Sequence, residues 1–358
     1  MSQNKPHDAD RRRVLSGIAG AASVAVAAPF VITPRRAFAG GKMVLVSWGG
    51  SYRDSVKKAL VDPFSKETGI EVTIIDTPDL AKVKAQQMTG NVTWDVFDAP
   101  GALGASGSKS GLWEPMPSEL TRSKDYVPGI PHWPDLAPFY LWAGGVGWNP
   151  QRFGAPGAGR APMNFAEYWD VKKFPGMRTL RSRPSETFEA ALLADGVPPH
   201  KLYPLDVDRA FKSLDRIKAH IGKWVTETPQ AITLLQTGDV NYSYVYASRV
   251  RTQTGGKYAF SFQQDLIGLE YLAIVKGAPN KAEAMKFVAF AMRPDRQAAL
   301  MDLLGNIPAS LKARSMVSPD AAKWMPDTAN PRNVILSDEY WADQFAPLNV
   351  RFKEWILS

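Results

Sequence analysis

The stretch that decides the fold is KMVLVSWGGSYRDSVKKALVDPFSKETGIEV, residues 42–72. The apolar run at 43–47 predicts a buried strand. Ser51, with an acid three residues on, predicts the N-cap of a helix, and Gly69 predicts the end of that helix. Residues 71–75 predict a second strand. A strand, a helix and a strand in this order predict parallel pairing, because parallel strands need a crossover connection.

The same alternation continues along the rest of the chain. Further strands are predicted at 94–97, 136–148, 178–181, 224–226, 240–246 and 269–275, and helices at 79–88, 185–193, 207–219, 229–236 and 281–292. Residues 294–358 predict helices that are interrupted by Pro and Asn. The aromatic-rich crossover at 136–148 separates two α/β sets, which predicts two lobes with a ligand cleft between them.

Composition excludes several classes of protein. A chain of 358 residues suggests about two domains, and 45% hydrophobic residues suffice for real cores, so a disordered chain is excluded. The absence of cysteine excludes a disulfide scaffold, a thiol nucleophile and a cysteine-ligated metal. The four histidines are scattered, with no pair at the spacing that binds zinc, so neither a metal nor another cofactor is expected.

The net charge of +8 does not indicate nucleic-acid binding. Residues 1–39 carry six basic and two acidic side chains, so half of the excess lies there. In the remainder, 37 basic and 33 acidic residues are interspersed. No basic stripe matches a phosphate backbone, and no nucleic-acid partner is expected.

The N-terminus resembles an export signal of the twin-arginine type. Arg11-Arg12-Arg13 precede an uncharged run at 14–34, although Val14 stands where the consensus prefers Phe. Ala37-x-Ala39 suits cleavage, so residues 1–39 are expected to be removed and the mature protein to be periplasmic. A retained membrane anchor is the alternative, because the run is about long enough to span a bilayer.

Several segments together resemble the periplasmic solute-binding proteins of ABC importers. They are residues 42–72, WDVFDAP (94–100), FYLWAGGVGWNP (139–150), FPGMRTL (174–180), GDVNYSYVYASR (238–249) and LEYLAIVKGAPNKAEAMKFVAFAMRPDRQ (269–297). Their order and spacing are most similar to the spermidine/putrescine-binding branch. The resemblance implies a binding protein rather than an enzyme, which works as a monomer and delivers a polyamine to permease subunits.

The resemblance also implies an α/β fold of the two-lobed periplasmic-binding-protein type, type II-like, whose lobes are joined by crossing strands. Lobe 1 is expected to comprise 40–146 plus 267–305, and lobe 2 to comprise 147–266 plus 306–358. A hinge motion would close the lobes on the ligand.

The resemblance places six ligand-binding residues in this sequence. They are the aromatics Trp48 and Tyr52 after the first strand, Trp142 in the crossover, Tyr246 after the GDVN strand, and the acids Glu186 and Glu270. Aromatic faces and carboxylates suit an amine, because a cation over a ring gains about 0.5–2 kcal/mol. Core packing is the alternative role for the aromatics, and stabilisation of a helix N-terminus is the alternative role for Glu186.

Two arginines depart from the polyamine pattern. Arg183 stands where a second carboxylate is expected near Glu186, and Arg249 follows Tyr246. A guanidinium repels an oligoamine and binds a carboxylate in a bidentate manner. The ligand is therefore expected to be either a polyamine or a zwitterion such as an amino acid. Both arginines could also be surface residues or partners of Glu186.

An exported hydrolase is the alternative from another class. Gly49-Gly-Ser51-Tyr-Arg53 departs from Gly-x-Ser-x-Gly at its last position, and no His-Glu-x-x-His is present. A carboxylate-pair hydrolase stays open at this point, because the separation of two carboxylates is not readable from sequence.

Overall fold

The structure of the protein is a computed structural model that describes residues 40–358. The predicted signal peptide, its twin-arginine motif and the predicted cleavage after Ala39 lie outside the described residues. In the part of the chain that is described, no helix combines the length and the apolar character needed to cross a bilayer.

The chain alternates strands and helices along its whole described length. The strands are β1 (Lys42–Ser47), β2 (Glu71–Asp76), β3 (Val96–Pro100), β4 (Leu136–Trp148), β5 (Arg178–Arg181), β6 (Ile221–Val225), β7 (Tyr242–Tyr246), β8 (Ala259–Phe260), β9 (Leu266–Ile274), β10 (Ile307–Pro308) and β11 (Val334–Ile335). The helices are α1 (Ser51–Val56), α2 (Asp62–Thr68), α3 (Leu80–Met88), α4 (Gly101–Lys109), α5 (Ser118–Thr121), α6 (Pro150–Phe153), α7 (Phe165–Trp169), α8 (Pro184–Ala194), α9 (Val207–Ile217), α10 (Thr228–Thr237), α11 (Ala247–Thr254), α12 (Lys281–Ala291), α13 (Pro294–Leu304), α14 (Leu311–Met316), α15 (Pro319–Ala322) and α16 (Asp338–Leu357).

The predicted strand–helix–strand opening is confirmed. β1 and β2 pair in parallel, and α1 is joined to α2 by a π-helical turn. The helix ends at Gly69, whose left-handed φ of 75° favours glycine. The predicted cap at Ser51 is wrong, because Gly50, with a φ of 65°, occupies the N-cap position and makes no side-chain bond to the helix. The positive φ of Gly50 turns the chain so that Ser51 is already helical.

The strands form one mixed sheet in the order β2-β1-β3-β9-β4-β7-β5-β6. β1 pairs in parallel with β2 and β3, and β5 pairs in parallel with β6 and β7. Between these two sets, β9 and β4 run antiparallel to their neighbours. The first part of β4 pairs with β9 and its last part with β7, so the carboxyl ends of both parallel sets meet near the middle of β4.

The core is divided between the two sets. The first hydrophobic cluster is built around residues such as Leu45, Phe97 and Phe287, and the second around residues such as Phe188 and Phe352. This division gives the two lobes, with β4 and β9 crossing between them. Residues 307–321 contribute Ile307, Ala313 and Ala321 to the first cluster, although they lie in the segment predicted for lobe 2. The predicted lobe boundaries as such stay a prediction.

Candidate functional site

One face of the crossing strands carries a continuous row of polar and aromatic side chains. Tyr140, Trp142 and Gly144 share a face of β4 because alternate residues of a strand point the same way. Tyr140 lies opposite Glu270 on β9, and Gly144 lies opposite Tyr246 on β7. Four residues of strand span roughly 13 Å. This face therefore connects the carboxyl ends of the two parallel sets, where ligand sites of α/β proteins lie.

An acid cluster lies at the lobe 1 end of this face. We use this name for Ser47, Trp48, Tyr52, Asp98, Tyr140 and Glu270. The Trp48 indole N–H donates to Oε1 of Glu270 at 2.7 Å. The hydroxyls of Ser47 and Tyr52 both donate to Oδ2 of Asp98 at 2.8 Å. In the described chain, no lysine, arginine or histidine forms an ion pair with either carboxylate.

Burial of these two carboxylates changes their protonation. Asp98 and Glu270 are only 1% and 4% exposed. Burial raises the pKa of Asp98 to about 6, against the opposing hydrogen bonds from Ser47 and Tyr52. Burial, and then the charge of Asp98, raise the pKa of Glu270 well above its usual value. The cluster therefore resists carrying two negative charges without a cation beside it.

An arginine cluster lies at the lobe 2 end of the same face. It consists of Arg181, Arg183, Glu186, Tyr244 and Tyr246. Arg183 forms an ion pair with Glu186 and also donates to the Tyr246 hydroxyl at 3.1 Å. The hydroxyls of Tyr244 and Tyr246 donate to Oε2 of Glu186 at 2.9 and 2.7 Å. The Arg181 guanidinium lies 5.8 Å from the Tyr246 ring centre.

Glu186 is held as an anion by this environment. Burial by itself would raise its pKa, but the charges of Arg183 and Arg181 outweigh burial, so the pKa lies below its usual value. Its backbone has a φ of 72°, which a non-glycine residue rarely adopts. Such strain persists where the surroundings hold a residue in place, as at ligand sites. Glu186 is thus already paired and positioned by its own lobe.

Trp142 lies on β4 between the two clusters, and Arg249 lies in the first turn of α11, directly after β7. Burial and the charges of Glu270 and Asp98 raise the pKa of Tyr140 well above its usual value, and the charge of Arg249 opposes that rise. The positive charge of Arg249 therefore acts on the acid cluster, and in the described chain its side chain forms no hydrogen bond or ion pair. Trp142 packs edge-on against Tyr246 at 5.1 Å. A Cβ at Gly268 would lie 2.0 Å from the Trp142 ring, so only glycine leaves room for the indole.

The predicted site residues thus fall on one face but in separate groups. Trp48, Tyr52 and Glu270 belong to the acid cluster, whereas Arg183, Glu186 and Tyr246 belong to the arginine cluster. Trp142 lies between them on β4, and the charge of Arg249 acts on the acid cluster from α11. Their roles toward a ligand stay predictions. Arg183 takes the role that the sequence left open for it, as partner of Glu186.

Sequence reasoning missed Asp98 and Tyr140. Strand β3 was predicted to end at residue 97 but continues to Pro100, which brings Asp98 into the sheet beside β9. The signal was an aspartate within an apolar run, where a charge is costly unless it has a role. Tyr140 was read only as one aromatic of the crossover.

Two surface depressions lie away from the cleft. Two open depressions, of about 320 and 270 Å³, lie outside the cleft beside Arg293, and neither gathers convergent buried polar groups. No group of three His, Asp or Glu side chains among residues 40–358 is arranged to hold a metal ion.

The chain is similar to known solute-binding proteins. The family described as bacterial extracellular solute-binding protein matches residues 59–330. The γ-aminobutyric acid-binding protein of Pseudomonas aeruginosa is 32% identical, over 87% of this chain and 90% of its own length. The spermidine/putrescine-binding periplasmic protein of Escherichia coli is 22% identical, over 85% of this chain and 88% of its own length. The solved structure of a protein described as the Atu4243-GABA receptor superposes on this chain with a TM-score of 0.80 at 32% identity. The match covers 88% of this chain and 98% of that protein.

The fold and the cleft define a two-lobed periplasmic binding protein. The chain belongs to the bacterial extracellular solute-binding protein family. It is the substrate-binding component of an ABC transporter, and its relatives are transport proteins rather than enzymes, which rejects the hydrolase alternative. Such components bind small molecules and work with permeases.

Proposed function

We propose that this protein captures a small zwitterion, an amino acid such as γ-aminobutyric acid whose amine and carboxylate lie at opposite ends. One observation carries the proposal. Asp98 and Glu270 are buried carboxylates that form no ion pair with a described cation, and Arg249, whose positive charge acts on Tyr140 of the same cluster, forms no ion pair with a described anion. A ligand with one positive and one negative charge can pair with the carboxylates and with Arg249. A ligand with only positive charges would be repelled by Arg249, and a ligand with only negative charges would be repelled by the carboxylates.

The acid cluster supplies the ammonium end of this site. Glu270 accepts from Trp48, which fixes the carboxylate and places an indole beside it. An ammonium group that contacts Glu270 would gain a charge-assisted hydrogen bond and an aromatic face together. The aromatic rings of Trp48, Tyr52 and Tyr140 limit the access of water, which strengthens the ion pair.

Arg249 supplies the carboxylate end. It stands in the first turn of α11, close to Tyr140, and can offer its planar fork of N–H donors to a carboxylate. Arg183 is less suited to this role, because it already pairs with the 1%-exposed Glu186. The separation between Arg249 and the acid cluster would select the length of the ligand.

The two γ-aminobutyric acid-binding relatives support the proposal. Both are 32% identical to this chain, compared with 22% for the Escherichia coli spermidine/putrescine-binding protein. The sequence alone favoured the polyamine slightly, because its overall layout resembles that branch. In the described chain Arg183 is paired with Glu186 and Arg249 forms no ion pair, and this difference favours the zwitterion over the polyamine.

A diamine such as putrescine is the second candidate, and the paired carboxylates favour it. Asp98 and Glu270 offer two negative charges at one end of the cleft. The second ammonium of a diamine would then face Arg249 or the already neutralised Glu186. This repulsion is the reason for ranking the diamine below the zwitterion.

The proposal includes the route of the protein and its closure. Residues 1–39 direct export by the twin-arginine pathway and are removed after Ala39, which leaves the mature protein in the periplasm, as its relatives are. There it acts as a monomer. The lobes close on the ligand through β4 and β9, and the closed form presents it to the permease subunits.

The test compares γ-aminobutyric acid with putrescine on the Arg249→Ala variant by isothermal titration calorimetry. We expect γ-aminobutyric acid to bind at least tenfold more weakly and putrescine to bind as well as before or better. Arg53→Ala is the matched control, because it removes an arginine of α1 that pairs with Asp76 in solvent. Equal losses for both ligands would favour a structural role for Arg249, and a wild-type protein that binds neither ligand would reject the proposal.

A further inference from the structure

The two carboxylates of the acid cluster are neighbours within the sheet. Asp98 lies opposite Leu272, and Glu270 lies opposite Pro100, on the antiparallel strands β3 and β9. Positions two apart on such strands are diagonal neighbours on the same face. The Asp98 and Glu270 side chains therefore meet by the register of the backbone.

The hydrogen bonds around the pair lack one donor. Oδ2 of Asp98 accepts from both Ser47 and Tyr52, and Oε1 of Glu270 accepts from Trp48. Oδ1 of Asp98 is buried and has no donor in the described residues. A buried acceptor without a donor costs free energy. A proton shared by Asp98 and Glu270 would supply the missing donor, because the two side chains are diagonal neighbours on one face of β3 and β9.

The groups that face the pair do not supply a compensating charge. Burial raises the pKa of Tyr52 and of Tyr140 well above 10, so both phenols stay neutral. Burial raises the pKa of Asp338, on α16, to about 7. When it is ionised, Asp338 has no proton to donate, and its negative charge raises the pKa of Glu270 further. Arg249, on α11, acts on Tyr140 and pairs with neither carboxylate.

We propose that Asp98 is a further specificity-determining residue, that it shares one proton with Glu270 in the unliganded protein, and that an arriving ammonium group displaces this proton into solvent. The inference rests on the proposed function, because it needs a ligand with an amine. The charges balance: the pair carries one negative charge before binding, and after binding two carboxylates and one ammonium again sum to a single negative charge.

This exchange makes affinity depend on pH. Between pH 6 and 8 the amine and the carboxylate of γ-aminobutyric acid keep their charges, so any proton released comes from the protein. Release of one proton means that the Kd falls about tenfold for each unit of rising pH. An ammonium that met a pair already fully ionised would release none.

The experiment counts protons by calorimetry. Wild-type protein is titrated with γ-aminobutyric acid at pH 7 in buffers of different ionisation enthalpy, and the slope of observed enthalpy against buffer enthalpy gives the number released. We expect close to one proton. Tight binding with no proton released from pH 6 to 8 would overturn the shared proton while leaving the proposed function intact. If neither γ-aminobutyric acid nor putrescine binds at all, the proposed function fails first.

Asp98→Asn tests the assignment of the residue. We expect binding about tenfold weaker and a release of well under half a proton, because an amide at this position donates to Glu270 and leaves no second carboxylate. Asp135→Asn is the control, a buried carboxylate of the same lobe that accepts from Ser108. Unchanged affinity and proton count in Asp98→Asn, with thermal unfolding showing a folded protein, would remove Asp98 from the site. The wild-type proton count stands even if this variant does not fold.

Discussion

Two buried glutamates on the same face of the sheet have opposite surroundings. Burial raises the pKa of Glu270 and the neighbouring carboxylate of Asp98 raises it further, whereas Arg183 and Arg181 lower the pKa of Glu186 despite its burial. The residue type is the same and both side chains are buried, so the neighbours alone decide the charge. Glu186 is satisfied by its own lobe, and Glu270 is left to be satisfied by a ligand.

The largest effect on ligand binding is expected at Glu270, a carboxylate without an ion pair in the described chain. Glu270→Gln should weaken the binding of γ-aminobutyric acid about 100-fold, or about 2.7 kcal/mol, because it removes the anion that pairs with the ammonium. Its unfolding free energy should change little, since the unliganded pair carries one negative charge before and after the substitution, and the Gln amide can donate where the shared proton did. Calorimetry and urea unfolding would measure the two quantities. Retention of wild-type affinity would contradict the ammonium site.

Removal of Arg183, the partner of Glu186, should instead lower the stability of the folded protein. Arg183→Ala removes the ion-pair partner of the buried Glu186 and leaves the charge of Arg181 and the hydroxyls of Tyr244 and Tyr246 as its remaining stabilisation. Breaking a fully buried pair costs 3–5 kcal/mol, and the 37% exposure of Arg183 reduces the expected cost to about 2 kcal/mol.

Urea unfolding tests this cost, and a double variant tests its cause. Adding Glu186→Gln to Arg183→Ala should recover most of the lost stability, because the side chain at position 186 then carries no charge that needs Arg183. If the double variant is no more stable than Arg183→Ala, the ion pair is not the source of the loss.

A smaller effect is expected at Trp48. Trp48→Ala should weaken binding by about tenfold, because it removes both an aromatic face and the donor that holds Glu270. Trp48→Phe separates the two contributions, since it keeps a ring and loses the indole N–H. Affinity equal to wild type in Trp48→Ala calorimetry would show that the indole belongs to the core alone.

Much of the fold was readable from local patterns. The crossover was predicted at 136–148 and β4 spans Leu136–Trp148, and the end of the first helix at Gly69 follows from the need for a left-handed residue there. Apolar runs and glycine positions reflect local backbone preferences, so the elements predicted from them are also present in the folded structure. The N-cap at Ser51 failed because the conformation of Gly50 moved the start of the helix.

The sequence by itself determined the α/β alternation and which aromatics, acids and arginines were candidates for a site. Only the tertiary structure decided which charges meet. Asp98 is 172 residues from Glu270 in the chain, and it reaches Glu270 through the antiparallel register of β3 and β9. Arg183, three residues from Glu186, turned out to be its partner rather than a free cation, while Arg249 kept no partner within residues 40–358. Charge state depends on distance and burial, and neither is fixed until the strands pair.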